Sequence, residues 1–574
     1  MCTLLSNRRL RFIFSEAEGF DSSEIGLYSG TTINDVRGNT VLFKKHSLGL
    51  AFSTILAATV ATSAFAQERL PAINLDTTTE AYDPIRYEAA FIIAEKWREL
   101  GLEVNVRPTE FSTLLGRFYD QQDFDAAIVG WSGRVDRLDP QFFLGTLDSR
   151  QTQLGGNNAG GYTSPEYDAL FDAQSVEFDI AKRQELVHKA QEAYMPDSPV
   201  VILFYRDEVV AFNNNTFGEM NAMAGEGLYS EWTPMQAKPL TDRKVLRIGG
   251  PQEPDNINPL ASTSVWGWKW MRLYYDRLVR LTPDVEPMNW MAESVVAVDD
   301  TTIDVTLRDG LKFHDGKPVT AADVAFTFGY YQKQDYSYFN AYLAPVDTVE
   351  ATGDLTIRFK LKTPSASFAN IALSQIPILP KHLWESIENP GQLTPEQIPT
   401  VGSGPFKFAS YNRGEIMSLE KNAEHFHAGE IAVDGVEFII YADMEGVFTG
   451  LQTQAIDMTA WRMEAGQIPL AEQAEHLNVI SVPDFGYYHL TYNTRREPFG
   501  DAAVRRALTM AMDRERMVNV LLDGRGEVGS SVIAPVNTFW HNPFVETFSF
   551  DMDAAKAALK EAGYSWDAEG RLVK

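Results

Sequence analysis

The chain has 574 residues, too many for one ordinary hydrophobic core, so two or three domains are expected. Its 78 acidic and 50 basic residues give a formal charge of −28, which excludes nucleic acid as a partner because phosphate binding needs a basic surface. The single cysteine, Cys2, excludes an intrachain disulfide framework and a thiolate metal cluster.

The first legible element is an export signal. Lys44, Lys45 and His46 precede an apolar run from Leu48 to Val60, and Ala64-Phe65-Ala66 forms a small-x-small cleavage site. The run is short for a membrane span, so no membrane insertion is expected. Residues 1–43 hold no second export signal and read as a mistaken start rather than a domain. Cleavage after Ala66 removes Cys2, which is too far from that point to carry a lipid. A free periplasmic protein without cysteine is expected.

From Pro71 the pattern is strand, helix, strand. PAINLD is a short strand, YEAAFIIAEKWRELG has helical apolar spacing at Phe91, Ile92, Ala94 and Trp97, and LEVNVRP alternates. A helix from Thr109 to about Tyr119 leads to the buried strand FDAAIVGW, ending at Trp131. Helical sequence then runs from Ser164 to about Tyr194, broken near Asp179, and the strand VVILFY follows Pro199. Polar sequence from Asn213 to Asp242 separates this block from a new beginning at KVLRIGG. Further on come a strand and an Asp-Gly turn, and then a helix capped by Thr320. A hairpin is predicted to turn at Arg413-Gly414, and VDGVEFIIY, YYHLTYN and two closing helical stretches follow. Strands interleaved with helices imply an α/β fold whose ligand-facing loops lie beyond the strand ends.

Several phrases carry a resemblance. They are LRDGLKFHDGKPVTAADVAFTF at 307–328, ILPKHLWE at 378–385, VGSGPFKFASYNRGEIMSLEKN at 401–422, YYHLTYNTRREPFGDAAVRRALTMAMDRERM at 487–517 and DMDAAKAALKEAGY at 551–564. GWSGRVDRLDPQFFL at 130–144 and GYTSPEYDALFDAQ at 161–174 belong to the same pattern. Together they resemble extracellular solute-binding protein family 5, the dipeptide/oligopeptide-binding proteins of ABC importers. Their order departs from that family. A member would begin with something like KVLRIGG, run through EAGY at 561–564, and only then continue into the segment found here at 71–240. The chain therefore looks circularly permuted, with old termini joined near 240–245.

The resemblance implies a two-lobed type II periplasmic binding fold with a third subdomain. On that reading 1–66 is a leader, 67–215 and 488–574 form the distal lobe, 216–285 and 396–487 form the proximal lobe, and 286–395 is the extra subdomain. Crossovers near 488 and 210–216 form the hinge, and closure around a ligand is a population shift. The implied function is capture of a short peptide or peptide-like solute and its delivery to the membrane permease of an ABC importer, by a monomer without cofactor or catalysis. A carboxylated opine-like compound, an oligosaccharide and a non-transport receptor role stay open. A secreted peptide hydrolase has no nameable nucleophile–base pair or metal set.

The candidate ligand contacts are Trp131, Arg134, Asp136, Asn158, Trp266, Trp268, Trp270 and Trp461. Binding clefts pair apolar or aromatic walls with a few placed polar groups. In the loop Gly130–Pro140, members of the family resembled have Asp three residues after the Trp, where it meets a peptide amine; here that position is Arg134. Either Asp136 takes over the amine contact or Arg134 forks onto a ligand carboxylate. Trp266, Trp268, Trp270 and Trp461 offer flat walls or cation–π surfaces, against the alternative of core packing. Asn158, with Asn157 and Tyr162, offers hydrogen bonds from a loop. Tyr487 and Tyr488 fall at the expected hinge. His314 reads as structural, and His425 and His427 lack the spacing of a metal site.

Overall fold

The computed structural model describes residues 69–134, 137–334 and 339–574, and the export signal expected at Lys44–Ala66 lies outside the described residues. The fold starts with the strand Ile73–Thr78 and the helix Pro84–Glu99. That helix begins where it does because the Asp83 side chain accepts the Arg86 N–H at 3.1 Å and Pro84 presets the first helical φ. It stops at Gly101, whose φ of +87° suits glycine, with Lys96 and Arg98 set in the last turn against the dipole. Ala89, Ala90, Ile93 and Trp97 face the sheet; Phe91, read as part of the apolar stripe, is exposed and packs on Tyr87 instead.

Strands Val104–Thr109 and Ala126–Trp131 flank Ile73–Thr78 in parallel, and Tyr487–Tyr492 runs antiparallel beside Ala126–Trp131. The continuation of this sheet depends on one strand. Sequence pattern gives VVILFY, but the strand runs on from Val200 to Asn213. Its first half pairs Tyr487–Tyr492 and Gly526–Val528; its second half pairs Leu477–Pro483 and touches Met458. Beyond it lie Met458–Thr459, Val245–Gly250, Gly435–Ile440 and the hairpin Phe406–Asn412/Ile416–Lys421. That hairpin turns at Gly414, at φ +76°, as its sequence predicts.

Apolar packing divides along this crossover. One core draws on residues 73–204 and 488–572, including Leu75, Trp97, Leu490 and Leu508. A second draws on residues 210–460, including Leu246, Trp270, Phe406 and Phe438. The strand leaves one core at Phe204 and enters the other at Val210, and its polar residues Arg206, Asp207 and Glu208 occupy the interval. A third apolar cluster, with Leu138, Tyr194 and Tyr487 on one side and Met223, Leu281 and Phe485 on the other, seals the two halves together beside the crossover. A separate antiparallel sheet, ordered Ala292–Asp299, Thr302–Leu307, Thr356–Leu361, Val346–Ala351, packs with the helix Ala321–Gln332. Thr320 and Asp323 close a capping box on that helix.

The helix Val265–Tyr274 was not legible as one. Tryptophans at every second position imitate strand alternation, whereas Ser264 caps a helix through the Trp266 N–H at 3.2 Å. The last residues fold back on the first helix. Leu572 N–H donates to the Gly101 carbonyl at 2.9 Å, Trp566 Nε1 to the Leu100 carbonyl at 2.8 Å, and Arg69 bridges Val573.

Candidate functional site

Parallel α/β sheets present loops and helix N-termini beyond the carboxyl ends of their strands. Here two such ends reach the same short stretch of the crossover strand. After Met458–Thr459 come Trp461 and Arg462, and Arg462 lies 3.5 Å from Glu208. After Ile73–Thr78 come Asp83 and Arg86, which meet Tyr488, and Tyr488 meets Arg206.

The result is one polar chain across the crossover. Arg462 sits over the Trp461 ring at 5.1 Å and shares Glu208 with Arg206, each at 3.5 Å. Arg206 donates to the Tyr488 hydroxyl at 3.3 Å, which donates onward to Asp83 at 2.7 Å. Arg86 approaches Asp83 at 3.5 Å and lies over the rings of Tyr488 and Phe111, and Phe111 stacks on the exposed Tyr82 at 4.7 Å. Asp484, in the turn between Leu477–Pro483 and Tyr487–Tyr492, accepts the N–H groups of Gly486 and Gly133. Burial first, and then the Glu208 charge, push its carboxyl up to about 6 against the pull of Arg206.

The predicted residues fall into separate places. Trp131 ends its strand half-buried, edge-on to Phe142 at 5.2 Å, with the Arg137 guanidinium 5.0 Å above it. Arg134 is half-buried, and its carbonyl accepts the Arg137 N–H at 2.8 Å. Asp136 lies outside the described residues. Asn158 is buried, and its amide is engaged within its own loop, donating to the carbonyls of Asp148 and Tyr162 and accepting the Tyr162 N–H. Trp131 and Asn158 nevertheless line one cavity of about 30 Å³, with Tyr119, Tyr487 and His489, large enough for a water molecule. Burial drives the His489 imidazole down to about 3, so it is neutral, and its Nε2 has no hydrogen-bond partner.

Trp266 and Trp461 meet edge-to-face at 4.8 Å, and Tyr229 stacks on Trp266 at 5.7 Å. Trp270, one turn on, lies flat on Phe438 at 4.7 Å and donates its Nε1 to the Tyr229 hydroxyl at 2.5 Å, well inside the second core. Trp268 points elsewhere and packs on Phe339 at 4.4 Å. A helix separates i and i+2 by some 200°, so the trio does not form one wall.

His314 is structural: Nε2 contacts the Gly404 carbonyl at 3.0 Å and Nδ1 accepts the Gly402 N–H. His425 contacts Asp276 at 2.9 Å in a buried network with Arg280 and Trp290. Burial opposes ionisation of Asp276, but His425, Arg280 and the Trp290 N–H together carry its carboxyl down to about 2. Among the described residues no three His, Cys, Asp or Glu side chains are placed to hold a metal ion.

The family model for bacterial extracellular solute-binding proteins, family 5 middle, matches residues 286–573, half of the 574-residue chain. The chain belongs to this family. The oligopeptide-binding protein AppA of Bacillus subtilis is 32% identical over 326 residues, covering 56% of this chain and 59% of that protein. The dipeptide-binding protein of Escherichia coli is 29% identical over 337 residues, covering 54% and 62%. This chain therefore spans about three-fifths of the curated relatives it matches. Among solved structures, the ABC transporter substrate-binding protein CtaP of Listeria monocytogenes aligns with a TM-score of 0.49 at 30% identity, covering 57% of this chain and 66% of that one.

Arg86, Arg206 and Asp484 were missed by sequence reading. Each is single in its segment and carries no motif; only the folded crossover brings them together. A weak signal did exist for Arg206 and Glu208, which with Asp207 form a charged run inside a mostly apolar fourteen-residue strand.

Proposed function

We propose that this chain is a periplasmic substrate-binding component of an ABC importer, which captures a short peptide or peptide-like solute in the cleft beside the crossover strand. The observation that carries the reading is the chain Arg462–Glu208–Arg206–Tyr488–Asp83, which places charged and aromatic groups from both sheet halves around one stretch of backbone. Membership in family 5 and the similarity to the oligopeptide-binding protein AppA and to the dipeptide-binding protein support it. The two cores then act as lobes, 67–215 with 488–574 and 216–285 with 396–487, and 286–395 is an accessory subdomain. Val200–Asn213 and Leu477–Tyr492 serve as the hinge, because they are the strands that pass from one core to the other.

Trp461 with Trp266 provides the aromatic wall, Trp131 and Arg134 the opposing loop. Trp268 and Trp270 act through packing. Circular permutation is part of the same proposal. Family phrases at 130–144 and 161–174 lie ahead of the matched span at 286–573, and Arg69 pairs with Val573. Export by the signal at Lys44–Ala66 and delivery to a membrane permease complete the reading.

Native mass spectrometry of the mature protein, purified gently from the periplasm, tests it. A discrete mass released on denaturation, matching a peptide or peptide-like solute, is the expected result. A released oligosaccharide overturns the peptide assignment.

A further inference from the structure

The segment 286–395 is joined very differently to its two neighbours. Toward residues 216–285 and 396–460 it shares one apolar core: Ile303, Phe328, Phe359 and Phe368 belong to the same buried cluster as Leu246, Trp270 and Phe438. Its helix Phe368–Gln375 is also tied down at the C-terminal end. There Gln375 Oε1 accepts from Arg272 at 2.6 Å, and the Ile378 N–H donates to the Asp276 carbonyl at 2.9 Å. Toward the other half the join is of another kind. Among the described residues, none of the apolar clusters that hold residues 73–204 or 488–572 includes a residue of 286–395.

Polar contacts cross there instead. The Ala366 N–H donates to the Ser175 carbonyl at 2.9 Å, and Asn370 Nδ2 stands 3.5 Å from Asp139 Oδ2. Ser175 lies in the last turn of the helix Pro165–Val176, where carbonyls have no partner inside the helix and need a donor from outside. Asp139 is held in place for its contact. Arg183 grips its two oxygens at 2.7 and 2.9 Å, and Trp540 covers the Arg183 guanidinium at 5.0 Å. Asp139 also accepts the Gln141 N–H at 3.0 Å at the head of the helix Pro140–Gly145, and so ends the loop that leaves the sheet at Trp131. Both receiving groups therefore sit on helix ends of one half, and both donors sit at the start of a helix anchored in the other. Hydrogen bonds of this kind carry a small net free energy and can part and re-form, which a shared apolar core cannot do without exposing its surface.

We infer that the start of the helix Phe368–Gln375 is a latch: Ala366 and Asn370 engage Ser175 and Asp139 when the lobes close and let go when they open, so that the accessory subdomain prolongs the closed state. The inference rests on the two-lobe hinge reading above and adds the device that holds the closed form. A hinge in Val200–Asn213 and Leu477–Tyr492 carries Ser175 and Asp139 with one body. The shared core carries 286–395 with the other, so the two contacts must part on opening. Bonds made only in the closed state raise its population and slow its loss. Asp139 ends the loop that carries Trp131 and Arg134, so a solute that orders this loop also sets the carboxylate that receives Asn370.

The test uses a mixture of random-sequence tripeptides as ligand and a disulfide as a lock. Cys2 is the only cysteine of the chain and lies ahead of the expected cleavage point, so Ser175→Cys with Ala366→Cys gives the mature protein a single thiol pair. Small-angle scattering with and without tripeptides reads lobe closure, and stopped-flow release reads the life of the closed state. Wild type is expected to compact on binding. The double variant, oxidised in the presence of tripeptides, should form the bridge and hold its ligand through dilution, and reduction should restore release. Asn370→Ala is expected to speed release about two- to fivefold, the loss of one weak hydrogen bond. Asn370→Asp should speed it further, because it sets a second carboxylate against Asp139 in the closed state alone. Thiols that stay free under oxidant in tripeptide-saturated protein, or a bridged form that releases tripeptides at the reduced rate, overturn the latch and leave lobe closure standing. Wild-type scattering that does not change with tripeptides overturns the closure reading itself, and the latch falls with it.

Discussion

Asp484 shows what one residue at a crossover must reconcile. Its carboxylate ties the Gly133 N–H to the turn before Tyr487, but it does so buried beside Glu208. Its pKa in the folded protein, about 6, lies above the ordinary 3.8, so the folded state binds this proton more tightly than the unfolded chain. The stabilisation is therefore fully present below about pH 3.8 and is lost as pH rises through 6. Asp484→Asn keeps an oxygen for the two N–H groups and removes the titration. Its stability relative to wild type is expected to climb between pH 4 and pH 7, by roughly 3 kcal/mol at most at about 1.4 kcal/mol per pH unit. A thermal-melt series across that range checks it, and a constant difference would mean that Asp484 ionises normally. No sequence pattern announces such a residue. VPDFG reads as a polar turn, and the neighbours that matter, Arg206, Glu208 and Gly133, come from elsewhere in the chain. Aromatic candidates fared differently. Trp266 and Trp461 were visible as a surplus of tryptophan, but their contact with each other, and the separation of Trp268 and Trp270, depend on a helix that alternating tryptophans concealed.

At the level of elements, most strands and helices were legible because their periods are regular and their caps explicit. Asp83, Ser164, Asp179 and Asp501 each accept a backbone N–H at the start of a helix. The extended crossover strand was harder to read, since its middle is charged and its two ends belong to different cores. Where the loop Gly130–Gly133 meets the turn Asp484–Gly486, the backbones nearly touch. A Cβ on Gly486 would lie 2.4 Å from both the Gly133 nitrogen and the Trp131 carbonyl oxygen. Those are main-chain atoms and cannot rotate away. Gly486→Ala is expected to cost about 1–3 kcal/mol as an overpacking strain and to loosen the loop that carries Trp131 and Arg134. Gly329, inside the helix Ala321–Gln332, has nothing within 4 Å of its would-be Cβ, and Gly329→Ala should add roughly 0.5–1 kcal/mol by helix propensity alone. The urea midpoint should fall for Gly486→Ala and rise for Gly329→Ala, and an unchanged or raised midpoint for Gly486→Ala would refute the assignment of close approach there.

For the whole molecule, the proposed permutation turns on where the chain can be cut and joined. Arg69 bridges Val573, and the stretch Trp566–Leu572 lies against Leu100 and Gly101, at the end of the first helix remote from Asp83 and Arg86. Joining 574 to 71 therefore alters a region separated from the proposed cleft by the length of that helix. At the other junction, Lys238–Pro239 pairs with Phe217–Gly218, and the chain passes from there directly into Val245–Gly250. Circular permutation is tolerated when the joined ends are neighbours and the new opening falls in an exposed segment; residues 240–244 are exposed or half-exposed. A variant opened at 240–245 and closed from 574 to 71 is expected to fold and to bind the proposed solute with unchanged affinity. A loss above about tenfold, roughly 1.4 kcal/mol, would mean that the order of segments is coupled to the cleft. That coupling would have to pass through the helix Pro84–Glu99, whose N-terminus carries Arg86 and whose C-terminus meets the junction.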